Sequence, residues 1–397
     1  MVQTSVDQAI TETAVGPLKV TVLQGVLKAA VDRAARIAGH KSVIPITSSI
    51  LLEAQGTGGL DGRLTLTATD LEQTVQVQVA AKVEGEGAIV APARLLADFI
   101  AALPDDHVAL EVDGGRLRVR CARSKGEMRI AAAEEFPAAP RVRPDATVVT
   151  VDAQALRKAL SRVVIAVAAK DDDRHVIRGV FVQDGADGLV LTATDGFQLA
   201  THKLAAEAAG ALGGWIIPTP AVQEVLNLLT GESGAVTLTL DRERVTLTAR
   251  RTVLTCQLIQ GSYPNFLPLI PQTHESRATM TVESLLRAVQ ATALFTGERE
   301  KDKSTVRLWS ELDGPVVVLN LTAGDDEVGQ GHTAVDVEIE GEHLAAIRFK
   351  GEQLRLALRA MGTEKVLLDT NGAGRPGLLR PVGDDDYLHV LMPMSIT

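Results

Sequence analysis

Leu64-Thr-Leu-Thr-Ala-Thr-Asp70 returns almost unchanged as Leu189-Val-Leu-Thr-Ala-Thr-Asp195, and in weaker form as Val318-Leu-Asn-Leu-Thr-Ala-Gly324. The first copy alternates apolar and polar residues and the first two end in Asp, as a strand entering a turn does. Upstream of each copy stands a second landmark, a hydrophobic-Thr-Val run leading into an apolar, basic helix pattern, with its threonines at Thr21, Thr150 and Thr281. The period is about 130 residues, far beyond the roughly 20 to 50 of a solenoid unit, so each copy is a domain. Downstream of each copy lies a second helix pattern, at Pro92–Leu103, Pro220–Leu229 and Gly351–Met361, then a Val/Leu-rich strand such as Ala235-Val-Thr-Leu-Thr-Leu240. Two helices among many short antiparallel strands, three times over, make an α+β chain.

The predicted boundaries are a tail over residues 1–16 and domains over 17–146, 147–272 and 273–397. Proline-rich runs close the first two domains: Glu134-Glu-Phe-Pro-Ala-Ala-Pro140 and Ser262-Tyr-Pro-Asn-Phe-Leu-Pro-Leu-Ile-Pro271. At 397 residues and 46% hydrophobic composition, each domain has material for its own core; aromatics are only 3%, so the cores are aliphatic. No apolar run reaches the roughly 18 residues of a membrane span, and the polar, acidic start lacks a signal-peptide layout. Cys121 and Cys256, about one repeat apart, read as small buried hydrophobes in equivalent strands of a protein of the reducing cytoplasm.

The net charge of −10 argues against nucleic acid, but its distribution argues for it. The first helix carries Lys28, Arg33 and Arg36, with Lys41 nearby, against Asp32 alone; the second carries Arg157, Lys158, Arg162 and Lys170 with no acid among them. In the second, Leu156, Leu160, Val163 and Val167 take one face, which should leave the cations on the other. The third is weaker, with Arg287 followed by the mixed run Glu298-Arg-Glu-Lys-Asp-Lys303. Repeated basic helices on an acidic protein suit a phosphate backbone.

Catalytic motifs are missing: there is no Walker loop, His-Glu-x-x-His, Cys-x-x-Cys or nucleophile elbow. Asp70 and Asp195 read as Asx turns rather than paired catalytic carboxylates, and Asp171–Asp173 and Asp384–Asp386 as solvated loops rather than metal ligands. Neither cofactor nor metal is expected.

Pro45-Ile-Thr-Ser-Ser-Ile-Leu-Leu-Glu53, Thr67-Ala-Thr-Asp-Leu-Glu72, Ala193-Thr-Asp-Gly-Phe-Gln-Leu-Ala200, Tyr263-Pro264 and Val390-Leu-Met-Pro-Met394, over residues 17–397, resemble the bacterial sliding-clamp family. The resemblance implies a head-to-tail homodimer, a six-domain ring around duplex DNA whose helix charges touch only phosphates. It implies partners as well: the replicative polymerase, the clamp loader and other proteins with clamp-binding peptides. Carried over motif by motif, the peptide pocket falls at Ile177, Thr194, Gly196, Phe197, Gln198, Leu199, Pro264, Pro268, Leu269, Val390, Met392, Pro393 and Met394. The ring seam falls at Met128, facing Leu294 and Phe295, and Lys41 corresponds to a DNA-contacting arginine. Where the family usually has an arginine, this chain has Gln198 and Ser395, and Pro268 replaces a basic or polar residue. These changes are either lineage drift or the mark of a second clamp whose pocket excludes an inhibitor of the ordinary one. A metal-dependent hydrolase built on Asp195 and Asp171–Asp173, and a monomeric β-rich adaptor, are the competing classes; chelator-sensitive turnover would mark the first, and a monomer indifferent to circular DNA the second.

Overall fold

The computed structural model describes residues 18–39, 44–56, 62–143, 145–208, 213–295, 305–325 and 329–394. Within them the chain runs three times through one strand, a helix, five strands, a second helix and three strands.

In the first pass these are β1 (Lys19–Leu23), α1 (Gln24–Ile37), β2 (Ser49–Gln55), β3 (Arg63–Thr69), β4 (Gln73–Ala80), β5 (Lys82–Gly85), β6 (Gly87–Pro92), α2 (Ala93–Ala101), β7 (His107–Asp113), β8 (Arg116–Cys121) and β9 (Ser124–Arg129), with a short β10 (Ala131–Ala132) after them. The second pass has β11 (Thr147–Asp152), α3 (Ala153–Val163), β12 (Gly179–Gly185), β13 (Gly188–Thr194), β14 (Gln198–Ala205), β15 (Glu207–Ala208), β16 (Gly214–Pro218), α4 (Thr219–Leu228), β17 (Ala235–Leu240), β18 (Arg244–Ala249) and β19 (Thr252–Gln257). The third has β20 (Ser276–Thr281), α5 (Val282–Ala293), β21 (Thr305–Asp313), β22 (Val316–Asp325), β23 (Gly329–Asp336), β24 (Glu338–Gly341), β25 (Ile347–Lys350), α6 (Gly351–Met361), β26 (Lys365–Thr370), β27 (Gly377–Pro381) and β28 (Tyr387–Leu391).

The local chemistry explains the elements. Along α1 the buried residues Leu27, Ala30, Val31, Ala34 and Ile37 recur at helical spacing. Along β7, Val108 and Leu110 alternate with more exposed neighbours. Asp152 caps α3 by accepting from the Gln154 and Ala155 amides at 3.0 and 2.9 Å, and Thr281 caps α5. α6 ends on Gly362 in the left-handed conformation, φ +68°.

Two compact units result: residues 1–146 with 239–257, and 147–238 with 258–397. The first holds the strand order β5-β1-β7-β8-β9 and the order β10-β6-β2-β3-β4-β19-β18, with α1 packed on α2, β3 and β4. The second holds β16-β12-β13-β14-β28-β27-β26-β20-β24, the four strands β23-β22-β21-β25, and β11 between β17 and β15. There α3 packs against β13, β14 and also α6.

One regularity runs through both units. In the first, β19 pairs antiparallel with β4, Gln73 standing opposite Cys256. In the second, β28 pairs with β14 in the same register, Gln198 opposite Leu391. Each time the last strand of one pass zips onto the third of the five central strands of the pass before it. Among the described residues the last strand of the first pass, β9, and the third central strand of the third pass, β23, have no such partner; each lies at the edge of its sheet.

Three expectations need correction. Both cysteines are buried and unpaired as expected, but Cys121 closes β8 whereas Cys256 sits in β19, so they are not equivalent positions. The second helix stops at Val163, and Val167 lies beyond it in extended backbone after a 3-10 turn over Val164–Ala166. Asp384 is not simply solvated: its side chain is only 13% exposed and paired with two cations.

Candidate peptide pocket and charged helices

The turn between β13 and β14 is built by one carboxylate. Asp195 Oδ1 accepts from the amides of Phe197 and Gln198 at 2.7 and 2.9 Å, and the Thr194 hydroxyl accepts from the Gly196 amide at 3.0 Å. Gly196 takes φ +89°, where a side chain is strained, and an added Cβ would stand 2.8 Å from an Arg174 guanidinium nitrogen. The turn pushes Phe197 outward, 52% exposed, and the main chain of Met392 donates to the Phe197 carbonyl at 2.9 Å.

Beneath Phe197 lies an apolar floor of Leu199, Val390, Phe266 and Leu378, with Phe181, Tyr263, Ile270 and Leu388 packed against it. Phe181 and Tyr263 stack at 4.7 Å between centroids. Leu267 (61% exposed), Pro268 and Leu269 stand open on a 3-10 turn, and Met392, Pro393 and Met394 are half-buried. The structure thus brings together on this surface Phe197, Leu199, Val390 and Met392; Ile177 and Thr194 are buried, and Pro264 is exposed. Ser395 lies outside the described residues.

Gln198 does not face the mouth. It is 5% exposed, and its amide donates to Asp195 Oδ2 at 3.0 Å while its oxygen meets His389 Nε2 at 3.2 Å. Its amide nitrogen already faces a carboxylate, so the oxygen requires a proton on His389 Nε2; Nδ1 then accepts from the Tyr387 hydroxyl at 3.0 Å. Burial holds the His389 imidazole down to about 3, and the ring stays neutral. The side chain expected to touch ligands instead fixes the turn from below. Sequence reasoning also missed Phe181, Phe266 and Leu378. The signal was present: in a chain with seven Phe and two Tyr, Phe181, Tyr263 and Phe266 converge here.

The helix cations divide into two kinds. Arg36, Arg157 and Lys170 are exposed and Arg33 is half-buried. Lys28 pairs with Asp32, and Arg287 pairs with Glu283 at 2.6 Å across one helical turn. Arg162 is the exception to the predicted polar face: it is 5% exposed, bonded to Asp384 at 2.7 Å and to the Met361 carbonyl, and stacked 4.9 Å over the Tyr387 ring. A single-faced helical wheel fails because α3 is packed on a second side by α6. Lys158, still exposed, shares Asp384 at 2.9 Å. Desolvation pushes the Asp384 carboxyl up, but the hydrogen bonds from Lys158 and Arg162 outweigh it and hold the group well below the ordinary carboxylate range. Charge reversal of Arg157 is accordingly expected to weaken DNA association and flatten its salt dependence by about one unit of slope, with melting unchanged, in titrations on duplex DNA at several salt concentrations. Lys41 lies outside the described residues, as does the run Glu298–Lys303.

The hydrolase alternative finds no support. Asp195 is spent on its turn, on Gln198 and on Gln353, and a side-chain hydrogen bond from Arg174 holds Asp172 down to about 2. Among the described residues no cluster of three or more metal-ligating side chains forms. At the proposed seam, Met128 is 4% exposed on β9; Leu294 is 79% and Phe295 37% exposed at the end of α5, the Phe295 ring lying against Gly331 of β23.

Three family descriptions match in sequence order: the N-terminal domain of the DNA polymerase III beta subunit over residues 18–140, the central domain over 150–265 and the C-terminal domain over 268–395. The beta sliding clamp of Streptomyces coelicolor is 30% identical, covering 96% of this chain and all of that one; the beta sliding clamp of Synechococcus elongatus is 29% identical with the same coverage. Among solved structures, the C. crescentus beta sliding clamp with bound PEG superposes with a TM-score of 0.86 at 26% identity. A Pseudomonas aeruginosa sliding clamp bound to griselimycin does so with 0.86 at 25%; each covers 96% of this chain and all of its own. The fold and the three matches together define a protein of three tandem clamp domains. The chain belongs to the DNA polymerase III beta subunit family, the bacterial beta sliding clamps, and its role is that of a polymerase processivity factor.

Proposed function

We propose that two copies close head to tail into a ring that surrounds duplex DNA and tethers its partners through the pocket around Phe197, without catalysing a reaction. The observation that carries this reading is the repeated junction. Two junctions of the same register lie within the chain, and the leftover edges β9 and β23 are the two halves of a third. Joining β9 of one copy to β23 of the next is a head-to-tail contact that, closed after two chains, leaves neither edge open. Extending the register places Gly126 opposite Gly331 and Lys125 opposite His332. Phe99 and Phe295 then cover those two glycines, each from its own chain.

Domain boundaries at 146/147 and 272/273, Leu294 and Phe295 in the seam, and a cytoplasmic setting belong to the same proposal. Among the described residues no helix is long and apolar enough to cross a membrane. The partners are the replicative polymerase, the clamp loader and other proteins with clamp-binding peptides; no cofactor takes part. Discrimination against pocket inhibitors would rest on Pro268, with Gln198 acting only through the turn. It is tested by comparing a linear peptide and a cyclic inhibitor on the protein and on Pro268→Arg; an unchanged affinity ratio removes it.

Oxidation of a Lys125→Cys/His332→Cys variant is the test of the seam. A covalent dimer is expected in high yield, with a pair displaced by two residues, Lys125→Cys/Ala334→Cys, cross-linking far less. Equal yields from both pairs would refute the register, and a monomer at every concentration would refute the ring.

A further inference from the structure

Beside the apolar pocket, on the third-pass sheet, lies a polar recess of about 470 Å³ lined by Thr305, Arg307, Thr322, Gly324, Gln330 and Arg348. Its basicity is arranged by the ladder. Arg307 on β21 stands directly opposite Arg348 on β25, and Thr305 opposite Lys350, so three cations share one face of two neighbouring strands. Like charges directly opposite each other destabilise a strand pair, and among the described residues no carboxylate lies within ion-pair range of these three. Arg307 only stacks on Trp309, at 5.4 Å, and Lys350 on Phe197, at 4.9 Å. Such a basic face suits an anionic ligand.

We infer that the recess takes the carboxylates of acidic residues flanking the peptide that a partner inserts into the apolar pocket, an inference that rests on the pocket reading above. The two sites are continuous along β25. The Lys350 ammonium covers Phe197 at the pocket, the Arg348 carbonyl holds the Met394 amide at 2.8 Å, and the step from 350 to 348 is only about 7 Å. A peptide anchored by its apolar side chains therefore needs two or three further residues to reach the paired guanidiniums. Carboxylates bridge paired guanidiniums well, accepting two parallel N–H bonds from a single Arg.

The experiment uses the full chain and fluorescent peptides that share one apolar anchor, flanked at either end by two Asp or by two Asn. The Asp peptide of one orientation is expected to bind about tenfold tighter than its Asn counterpart, and the advantage should shrink at high salt. In Arg307→Gln/Arg348→Gln the advantage should vanish while the Asn peptide keeps its affinity, which also reports an intact fold. Equal affinities on the native protein, or an advantage that survives the double substitution, would overturn the inference. If a short single-stranded oligonucleotide abolished the Asp advantage without touching Asn-peptide binding, the recess would belong to nucleic acid, which overturns it as well. Failure of the Asn peptide to bind at all would instead bring down the pocket reading.

Discussion

Loaded onto a nicked circular duplex, the protein is expected to remain through repeated washing and to leave as soon as the circle is linearised, since phosphate contacts give little grip and topology supplies the rest. On linear duplex its unassisted affinity should be weak and fall steeply with salt. The decisive variant is Leu294→Asp/Phe295→Asp. Both residues are exposed in the single chain, 79% and 37%, so the fold should survive while the seam acquires buried charge. Sedimentation should show the dimer, about twice 42.0 kDa, give way to the monomer, and retention on the circle should fall by about 100-fold or more. A variant that stays monomeric yet is retained like the parent would contradict the topological mechanism.

The second large effect lies in the core of the second unit. Arg162→Ala removes the guanidinium from a pair in which the arginine side chain is 6% and the aspartate 13% exposed. Breaking a buried pair from one side costs about 3 to 5 kcal/mol, because the remaining charge is left without its partner. Denaturant unfolding should register that loss, whereas exposed Arg157→Ala should change stability little. The pair also sets a pH dependence. Asp384 and Asp369 both ionise more readily folded than unfolded: burial opposes this in each, but hydrogen bonds from Lys158 and Arg162 to the first, and from Arg277 and Arg380 to the second, prevail. Their contribution is therefore complete above the unfolded carboxylate pKa of about 4 and is lost as pH falls below it. Asp384→Asn should flatten the acid limb of the stability profile; an unaltered limb would count against the pairing.

The three-domain plan, the Asp195 turn and the basic first helices could be read from the chain because each is local: alternation, an Asx turn and a helical stripe involve neighbours in sequence. Arg162 could not. Its partner Asp384 is 222 residues away, and only the packing of α6 on α3 makes that cation a core residue. Gln198 failed for a related reason. The family resemblance placed it in the pocket, yet strand alternation turns it down toward His389, 191 residues distant. The open edges β9 and β23 became visible only through the observed strand order.

The two junctions inside the chain share a backbone but not a chemistry. At the first, Asp70 builds the same turn, Leu71 takes φ +79° where Gly196 takes +89°, and the Gln257 amide donates to the Glu72 carbonyl as Met392 does to Phe197. The positions of Phe197, Leu199, Val390 and Met392 are there filled by Glu72, Thr74, Thr255 and Gln257. Among the described residues the apolar set therefore occurs at one of the two junctions and not at the other. On the proposed ring, a closed pair of chains would seat two peptides, so two different enzymes would ride one ring and a third would wait for a vacancy.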